Sequence, residues 1–491
     1  MKKNKMIALL LSALFLSGTF AACSEPTKKG DETSDSGGTI ANNPGDGLYV
    51  ADYLPDTTYN DADFRVLTVP DEYADMYTGF MADSSATDKV VAARYKRNSM
   101  IEDKYKVKFS ETLAQNWEEC SSMLETYVST NDDAYELNML IQREAFVFAI
   151  DGYCIPTSEL KYNDLTQPWY VHDVNDMISV NDTYYFAYSA ECLNMFAQTN
   201  CVFYNLDKGA GFTLSDPYDM VKNGTWTFDT MLQYAKSATN DLDSDGVITD
   251  NDSVGIAGRG DMIHPTLWIG SGFKTMEKDS DDYPIFTAAD DEKFIDFLTV
   301  LSDNVKSGVI FDNTKYESQK WPGEDQSVSS MNTFTDGTAL FLVGSIGNTF
   351  NLNDMEDEFR ILPSPKASED QESYHSRVVD GWIYVVPSTN SVLDMTSVIL
   401  EALAVESANY VYDAYYEEAL GNRYARDDIN KEMLDLISET RYLELGDTVW
   451  QADIRNQILE VIWNGTGTFS SLFSSKAGLI ELIIAKYMNA L

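Results

Sequence analysis

The sequence predicts an α/β fold built in two lobes. The folded part opens with strand and helix patterns in alternation, which is typical of a parallel sheet flanked by helices. About 430 residues follow the polar N-terminal region, which is more than one hydrophobic core usually serves. Hydrophobic residues make up 44% of the chain, so there is enough apolar material for two cores.

The elements follow from hydrophobic periodicity, taken in chain order. Alternating β-branched and apolar residues predict a first strand at 64–69, and helical spacing predicts a helix over 86–105. A strand over 105–112 and a helix over 117–128 complete the opening series. Later strands are predicted at 184–188, 201–205, 339–343, 359–362 and 382–387. The final third is mostly helical, with helices at 394–416, 431–441, 451–463 and 477–491.

The N-terminus predicts export and a lipid anchor. Three lysines precede an apolar run over 6–16, which at about 11 residues is too short to span a bilayer, so residues 1–22 are predicted to be a signal peptide. Cys23 directly follows Ala21 and Ala22, and this arrangement resembles the bacterial lipobox, with Phe20 in place of the usual Leu. Ordinary cleavage with a free Cys23 is the alternative. We expect a lipid-anchored protein on the extracellular face of the bacterial cytoplasmic membrane.

The segment 23–61 predicts a flexible tether. It is rich in Ser, Thr, Gly, Asp and Pro and has almost no apolar periodicity before Tyr49. As a random coil it would reach on the order of 35 Å.

Charge excludes some partners. The formal net charge is −44, so the chain should repel nucleic acid and anionic lipid. The sequence contains no second run of about 20 apolar residues, so it predicts no membrane-spanning helix. We expect a monomer that meets the membrane only through its anchor.

Four further cysteines leave two alternatives open. Cys120, Cys154, Cys192 and Cys201 could form two disulfides in an exported protein. Their apolar or helical surroundings equally favour buried free thiols. Neither a CxxC motif nor a Cys/His cluster predicts a zinc site.

Six segments in order carry a resemblance to a known family. They are NDTYYFAY at 181–188, VFYNLD at 202–207, GTWTF at 224–228, FTDGTAL at 334–340, ILPSP at 361–365, and YY at 415–416 with RD at 426–427. From about residue 60 to the C-terminus the chain therefore resembles the extracellular solute-binding proteins of family 1. These are lipid-anchored receptors that feed bacterial ABC importers, often with sugars.

The resemblance implies a periplasmic-binding-protein-like fold, with two lobes of parallel-dominated sheets joined by a hinge that the chain crosses several times. We expect residues 62–188 plus 346–378 in the N-terminal lobe and 189–345 plus 379–491 in the C-terminal lobe. The implied function is capture of a solute, an oligosaccharide first, in the cleft between the lobes, with delivery to ABC permease subunits by hinge closure. A peptide or other polar-ligand receptor, a sensor lipoprotein, and a surface enzyme acting on glycans are the alternatives.

The same resemblance nominates ligand contacts. They are Glu191, His264, Trp268, Ser345, Asp380, Trp382 and Trp450. For each tryptophan, core packing is the alternative, since a buried Trp needs no ligand. Ser345 and the two residues after it replace the family's cleft tryptophan, which argues against maltose-like specificity.

An acidic loop has the spacing of an EF-hand calcium site. Side-chain or backbone oxygens are offered by Asp241, Asp243, Asp245, Val247, Thr249 and Asp252, with Gly246 at the sharp turn. Asp252 stands where a glutamate usually binds through two oxygens, so we expect modest affinity for a structural Ca²⁺. An acidic turn held by Asx hydrogen bonds without metal is the alternative.

Catalysis finds little support in the sequence. His172, His264 and His375 are not spaced as metal ligands, and no nucleophile-elbow, zinc-protease or phosphate-loop motif occurs. A binding protein is therefore preferred over an enzyme.

Overall fold

The computed structural model describes residues 48–71, 77–352, 355–379, 381–416, 428–465 and 467–490. The strands are β1 (Ala62–Thr68), β2 (Val107–Leu113), β3 (Leu137–Ile141), β4 (Cys154–Ile155), β5 (Asn200–Asn205), β6 (Val254–Gly258), β7 (Met276–Lys278), β8 (Pro284–Phe286), β9 (Ile310–Asp312), β10 (Ala339–Ser345), β11 (Phe359–Leu362), β12 (Ser376–Arg377), β13 (Trp382–Pro387) and β14 (Arg441–Tyr442).

The α-helices of the described residues are α1 (Lys89–Tyr105), α2 (Trp117–Ser129), α3 (Gln142–Ile150), α4 (His172–Ile178), α5 (Leu193–Ala197), α6 (Leu206–Gly211), α7 (Tyr218–Lys222), α8 (Phe228–Ala238), α9 (Gly260–Gly270), α10 (Glu292–Lys306), α11 (Gln326–Thr335), α12 (Leu393–Glu406), α13 (Tyr412–Tyr415), α14 (Asp428–Glu439), α15 (Arg455–Asn464) and α16 (Phe469–Met488). Short 3₁₀ turns span Thr157–Glu159 and Ile346–Leu352, and a π-helical turn spans Ser407–Val411.

Two five-stranded mixed sheets organise the chain, which confirms the predicted α/β class. The first has the order β2-β1-β3-β13-β4 and the second β11-β5-β10-β6-β9. In the first, β1 is parallel to β2 and β3, while β13 is antiparallel to β3 and β4. In the second, β6 is parallel to β10 and β9, while β5 is antiparallel to β10 and β11. The antiparallel pairs arise where the chain returns from the opposite sheet.

Some sequence assignments need correction. The strand at 359–362, expected in the N-terminal lobe, pairs with β5 in the second sheet, and the strand at 382–387, expected in the C-terminal lobe, pairs with β3 in the first. The segment 184–188 is not a strand. There the Tyr188 carbonyl accepts hydrogen bonds from the Val171 backbone and the Asn175 side chain, so helix α4 and its lead-in take the place of a neighbouring strand.

Counted over the elements that the structure describes, three passages of chain connect the two sheets. The chain passes between β4 and β5, between β11 and β13, and again after β13, since α15 packs against α9 and α10 of the second sheet. Residues 198–199, 376–379 and 441–442, which we call the hinge segments, lie side by side. Thr199 bridges Val378, β12 pairs in parallel with β14, and the Val378 N–H donates to the Tyr442 carbonyl at 2.8 Å.

Residues 48–61 belong to the folded body, which corrects the predicted extent of the tether. The Tyr49 backbone makes two hydrogen bonds to the Asn409 amide, at 2.8 and 3.1 Å, and the Tyr59 N–H donates to the Tyr105 carbonyl at 2.8 Å. The Tyr53 hydroxyl donates to the buried carboxylate of Glu401. The aromatic side chains of residues 48–61 thus allow this segment to pack against α1 and α12. The predicted signal, Cys23 and the rest of the tether lie outside the described residues.

The four described cysteines are buried free thiols, and no disulfide joins them. The alternative of two disulfides is therefore wrong for this structure. Burial raises the pKa of Cys120 to about 12, so this thiol stays protonated and unreactive at neutral pH.

Candidate ligand-binding site

A cavity of about 700 Å³ opens at the carboxyl ends of the parallel strands β6 and β10. This is the edge of an α/β sheet where ligands usually bind. It is lined by polar and apolar side chains of the second lobe and by the hinge: Gln198, Arg259, Asp261, Met262, Ser327, Val328, Ser330, Met331, Asn332, Thr335, Leu342, Val343, Gly344, Ser345, Asn348, Val379 and Arg455. Among these described residues, none is aromatic.

One wall of the cavity is a charged pair fixed by a serine. Arg259 follows β6 directly, and its Nε donates to Asp261 Oδ1 at 2.9 Å, while Nη2 pairs with Asp261 Oδ2. Its Nη1 donates to Ser327 Oγ at 3.0 Å, which ties the start of α9 to the start of α11. Both charged side chains are partly exposed, at 38% and 30%, so the pair borders the cavity rather than being buried beneath it.

The end of β10 forms a second wall. The Asn348 Oδ1 accepts the Ser345 N–H at 2.8 Å, which closes a tight turn into the following 3₁₀ segment. A Cβ at Gly344 would lie 2.3 Å from this oxygen, so only glycine permits the asparagine to take this position. Asn348 and Ser345 thereby present fixed amide and hydroxyl groups at the cavity edge.

The cavity also touches the hinge. Gln198 and Val379 come from two of the three hinge segments, and the Val379 N–H donates to the Gln198 carbonyl. Arg455, at the start of α15, lines the cavity and donates from Nη1 to the Asp447 carbonyl at 3.1 Å. A change in the angle between the hinge segments would therefore change the cavity.

Two buried arginines, Arg377 and Arg441, hold the hinge segments in place. Arg377 donates to Asp447 from Nε at 2.6 Å and from Nη2 at 3.0 Å, and both side chains are fully buried. Arg441 donates to Thr199 Oγ1 at 2.9 Å and stacks 4.3 Å from the Phe196 ring centre. Burial lowers the pKa of Arg441 to about 10, which still leaves it charged at neutral pH.

Glu191, predicted as a ligand contact, is engaged inside the first lobe. Its carboxylate pairs with Arg97 of α1 and accepts from Ser407 Oγ at 2.5 Å. Burial lowers the pKa of Arg97 to about 9, and the nearby Tyr384 opposes that shift. The carboxylate thus links α1 to the π-helical turn.

The other predicted contacts are mostly packing residues in this structure. His264 is buried and hydrogen-bonds Asp312 Oδ2 at 2.8 Å, and Trp268 is buried with its ring 6.1 Å from Phe294. Trp382 is buried in β13, and Trp450 is buried with its ring 6.0 Å from that of Tyr487. Of the predicted contacts within the described residues, Ser345 alone lines the 700 Å³ cavity. Asp380 lies outside the described residues.

The cavity also contains residues that the sequence reasoning did not nominate. Among its polar lining residues are Gln198, Arg259, Asn332, Asn348 and Arg455. A usable signal existed for two of them: Arg259 directly follows the apolar run VGIAG at 254–258, and Gln198 stands three residues before the predicted strand at 201–205. The others come from helices and turns that only the fold brings to this edge.

The acidic loop brings three of its predicted ligands together. One carboxylate oxygen each from Asp241, Asp243 and Asp252 lie within 4.8 Å of one another. Asp241 accepts the backbone N–H groups of Ser244 at 2.6 Å and Gly246 at 2.8 Å, and the Gly246 bond lowers its pKa. These are the Asx hydrogen bonds of the metal-free alternative, and they are also compatible with a loop arranged around an ion.

Two mixed sheets, connected by three passages of chain and carrying a cavity at the carboxyl edge of one sheet, define the periplasmic-binding-protein fold. No protein-family model and no curated protein sequence matches this chain. Solved structures match over most of its length. A maltose-bound MalE3 from T. maritima is 13% identical with a TM-score of 0.54, and the match covers 86% of this chain and 100% of that one.

Two further structures extend the comparison. A cyclo/maltodextrin-binding protein complexed with maltotetraose is 9% identical with a TM-score of 0.58, covering 86% of this chain and 97% of that one. UgpB from Mycobacterium tuberculosis, in complex with glycerophosphocholine, is 14% identical with a TM-score of 0.57, covering 87% and 99%. At these identities the shared property is the fold, including its two lobes.

Proposed function

We propose that this chain is an extracellular solute receptor that binds an oligosaccharide in the 700 Å³ cavity and delivers it to the permease of an ABC importer. The observation that carries the proposal is the position of this cavity. It lies at the carboxyl edge of the second sheet and is bordered by two hinge segments, in a fold shared with structures that hold maltose and maltotetraose.

The size and lining of the cavity support a polar organic ligand. A volume near 700 Å³ lies within the range of about 300–1,000 Å³ that is usual for small-molecule sites. Asn332, Asn348 and Ser345 offer the amide and hydroxyl groups that pair with sugar hydroxyls, and Met262 and Met331 offer apolar surface to C–H faces. Because no described lining residue is aromatic, we expect recognition by hydrogen bonds rather than by ring stacking.

Closure of the lobes supplies the transport step. A ligand that contacts the cavity wall of the second lobe and also the first lobe would favour a closed hinge, because it binds that state more tightly. The permease then distinguishes the closed, loaded receptor from the open one. This step rests on Gln198 and Val379, whose backbone contact joins two hinge segments at the cavity.

A lipid anchor through Cys23 remains part of the proposal. No helix in the described part of the chain is long and apolar enough to cross a membrane. Residues 48–61 pack against the folded body, so 24 residues lie between Cys23 and the first described residue, Leu48.

We further propose that the loop from Asp241 to Asp252 binds a structural Ca²⁺ of modest affinity. The three clustered carboxylates support this, and the burial of Asp252 would tie the ion to the lobe. The divalent ion would offset two of the carboxylate charges of this acidic turn and would not contact the cavity ligand.

A thermal-shift screen of the mature chain tests the receptor proposal. Oligosaccharides, monosaccharides, peptides and glycerophosphodiesters are offered separately, and each ligand that shifts the melting temperature is recovered and analysed by chromatography. A ligand at 100 times its dissociation constant should stabilise the native state by about 2.7 kcal/mol. An oligosaccharide recovered unchanged supports the proposal, while its conversion to products would replace it with a glycan-acting enzyme.

A further inference from the structure

The two lobes also meet outside the hinge segments, where two turns contact each other. One turn spans 180–183 and follows helix α4, and the other connects β7 to β8. Each turn is closed by its own backbone. Val180 and Thr183 exchange hydrogen bonds at 3.2 and 3.0 Å, and the Asp279 carbonyl accepts the Asp282 N–H at 3.1 Å. Two preformed turns therefore come together.

The first of these turns belongs to the first lobe. Just before α4, the Tyr170 hydroxyl donates at 2.6 Å to the buried carboxylate of Glu401 on α12, and α12 packs on α1 beside β2. The Tyr188 N–H donates to Asn175 Oδ1 of α4 at 2.7 Å. The Tyr188 hydroxyl donates at 3.2 Å to the carbonyl of Gly381, directly before β13. Helix α4 and its turn are thus fixed to the first sheet.

The second turn belongs to the second lobe. The Phe286 ring on β8 lies 5.9 Å from that of Phe473 on α16, whose ring lies 6.1 Å from that of Phe294 on α10. On the other strand of the hairpin, the Met276 N–H donates at 3.0 Å to the buried carboxylate of Glu444, in the segment that leads from β14 to α15. Because α10 packs against β9, the hairpin is fixed to the second sheet.

The Lys278 ammonium, at the end of β7, lies at the centre of the contact. It donates to the Ser179 carbonyl at 2.8 Å, to the Ser179 hydroxyl at 3.0 Å and to the Asp176 carbonyl. Asp282 Oδ1 accepts from the same ammonium at 2.7 Å. The last carbonyls of a helix lack intrahelical donors and carry partial negative charge, so a cation from the other lobe is favourable here.

Asp282 adds two hydrogen bonds between the same turns. Its carbonyl accepts the Asn181 N–H at 3.1 Å, and its Oδ2 accepts the Asp182 N–H at 3.1 Å. All three residues have a left-handed φ, between 52° and 56°. Asparagine and aspartate adopt this conformation more readily than other non-glycine residues, so the sequence suits both turns. We call this contact, made by Lys278 and Asp282 with residues 176–182, the clasp.

The clasp lies beside the hinge and next to a cavity. Leu443, directly after β14, donates its N–H to Met177 Sδ of α4 at 3.3 Å, so α4 borders the last hinge segment. A cavity of about 530 Å³ is lined by α4, by residues 274–278 and by residues 442–445. The lobes therefore do not pack core to core along this cavity, and the polar bonds of the clasp can open without exposing a packed apolar interface there.

We propose that the clasp holds the two lobes at the angle of this structure and opens when the hinge bends. Bending rotates α4 with the first sheet and the β7–β8 hairpin with the second, and a hydrogen bond near 3 Å is lost on a displacement of about 1 Å. The strength of the clasp then sets how often the lobes leave this angle. The proposal rests on the two-lobed fold and is independent of the solute and of the 700 Å³ cavity.

Pulsed electron paramagnetic resonance between nitroxide labels on the two lobes measures the distribution of this angle. The labels are attached at Ser122→Cys on α2 and Lys293→Cys on α10, both exposed positions, in the mature chain carrying Cys23→Ser. The four native thiols of the described residues are buried, so only the two introduced thiols react with the label. We expect one dominant distance without further substitution.

Lys278→Met should raise the ratio of other distances to the dominant one about tenfold, because hydrogen bonds to a charged group are stronger than neutral ones. The matched control is Lys306→Met. It removes a lysine whose side chain is 47% exposed and whose pair with Asp303 lies within α10, so it should leave the distribution unchanged.

Asp282→Gly is the second variant. It removes the carboxylate that both Lys278 and Asp182 contact, while glycine accepts the left-handed turn without strain, and it should have the same effect. An unchanged distribution in either variant would overturn the proposal even if its melting temperature falls, because the contact would then stabilise the fold without restraining the lobes. An equal change in the control would overturn it as well. If Lys278→Met does not fold, Asp282→Gly decides the question by itself.

Discussion

The hinge depends on the buried pair of Arg377 and Asp447, so replacing Arg377 by methionine should be strongly destabilising. Both side chains are 0% exposed, and two charge-assisted hydrogen bonds at 2.6 and 3.0 Å join them. Methionine fills similar space but leaves Asp447 buried, with the guanidinium of Arg455 as its nearest charge in the described structure, at 3.6 Å. Removing one partner of a buried pair typically costs about 3–5 kcal/mol of unfolding free energy.

Urea unfolding followed by tryptophan fluorescence measures this cost. The matched control is Lys222→Met, which breaks the Lys222–Glu432 pair on the surface, where the side chains are 45% and 42% exposed. We expect the midpoint urea concentration of the control to stay within experimental error of wild type. A loss below about 1 kcal/mol for Arg377→Met would refute the reasoning, because it would mean that the buried pair is no more important than a solvated one.

Four further changes have defined outcomes. Glu444→Gln mimics the protonated acid, whose pKa is raised in the native state. Because the native state then holds this proton more tightly than the unfolded state, the free energy of unfolding of the wild type should fall as the pH rises from about 4.5 to about 7. In urea unfolding, the stability of the variant relative to wild type should therefore be about 3 kcal/mol higher at pH 8 than at pH 4. Millimolar Ca²⁺ should raise the melting temperature, and Asp243→Asn should remove that rise; no shift with calcium or with a chelator would leave the acidic loop as a metal-free turn. Asn409→Ala should release the segment around Tyr49 and speed its cleavage by a protease, and an unchanged cleavage rate would contradict the packing of residues 48–61. Gly344→Ala should displace the asparagine that closes the turn after β10 and weaken ligand binding by about 1 kcal/mol in a calorimetric titration, and unchanged affinity would remove that turn from the site.

Much of the fold could be predicted because several strands of this chain are largely apolar. The strands at 201–205 and 382–387 are buried on both faces, and these two and the strand at 359–362 fall where the sequence places them to within one residue. The segment 184–188 has the same aromatic composition but pairs with the lead-in to α4, which local pattern cannot reveal. The local sequence also does not show to which sheet a strand belongs, since this depends on where the chain crosses the hinge again.

The candidate site was harder to predict, for a physical reason. Large aromatic residues such as Trp268 and Trp450 suit a ligand platform and a core equally well, and here burial in the lobe uses them. Small polar residues such as Asn348 gain their role from a turn and a neighbouring glycine rather than from their type. Ser345 was nominated because the family resemblance places it where a cleft tryptophan follows this strand, and at that end of the strand it does line the cavity.

The central claim is that ligand occupies the cavity at the end of β6 and β10, and a matched pair of tryptophan variants tests it most directly. Val328 lines this cavity and is 44% exposed, while Val300 on α10 is 43% exposed and does not line it. Calorimetric titration of the best oligosaccharide from the screen should show Val328→Trp binding at least about tenfold more weakly than wild type, a loss of about 1.4 kcal/mol, with Val300→Trp unchanged. Equal affinity of the two variants, or no oligosaccharide bound by the wild-type chain, would contradict the account.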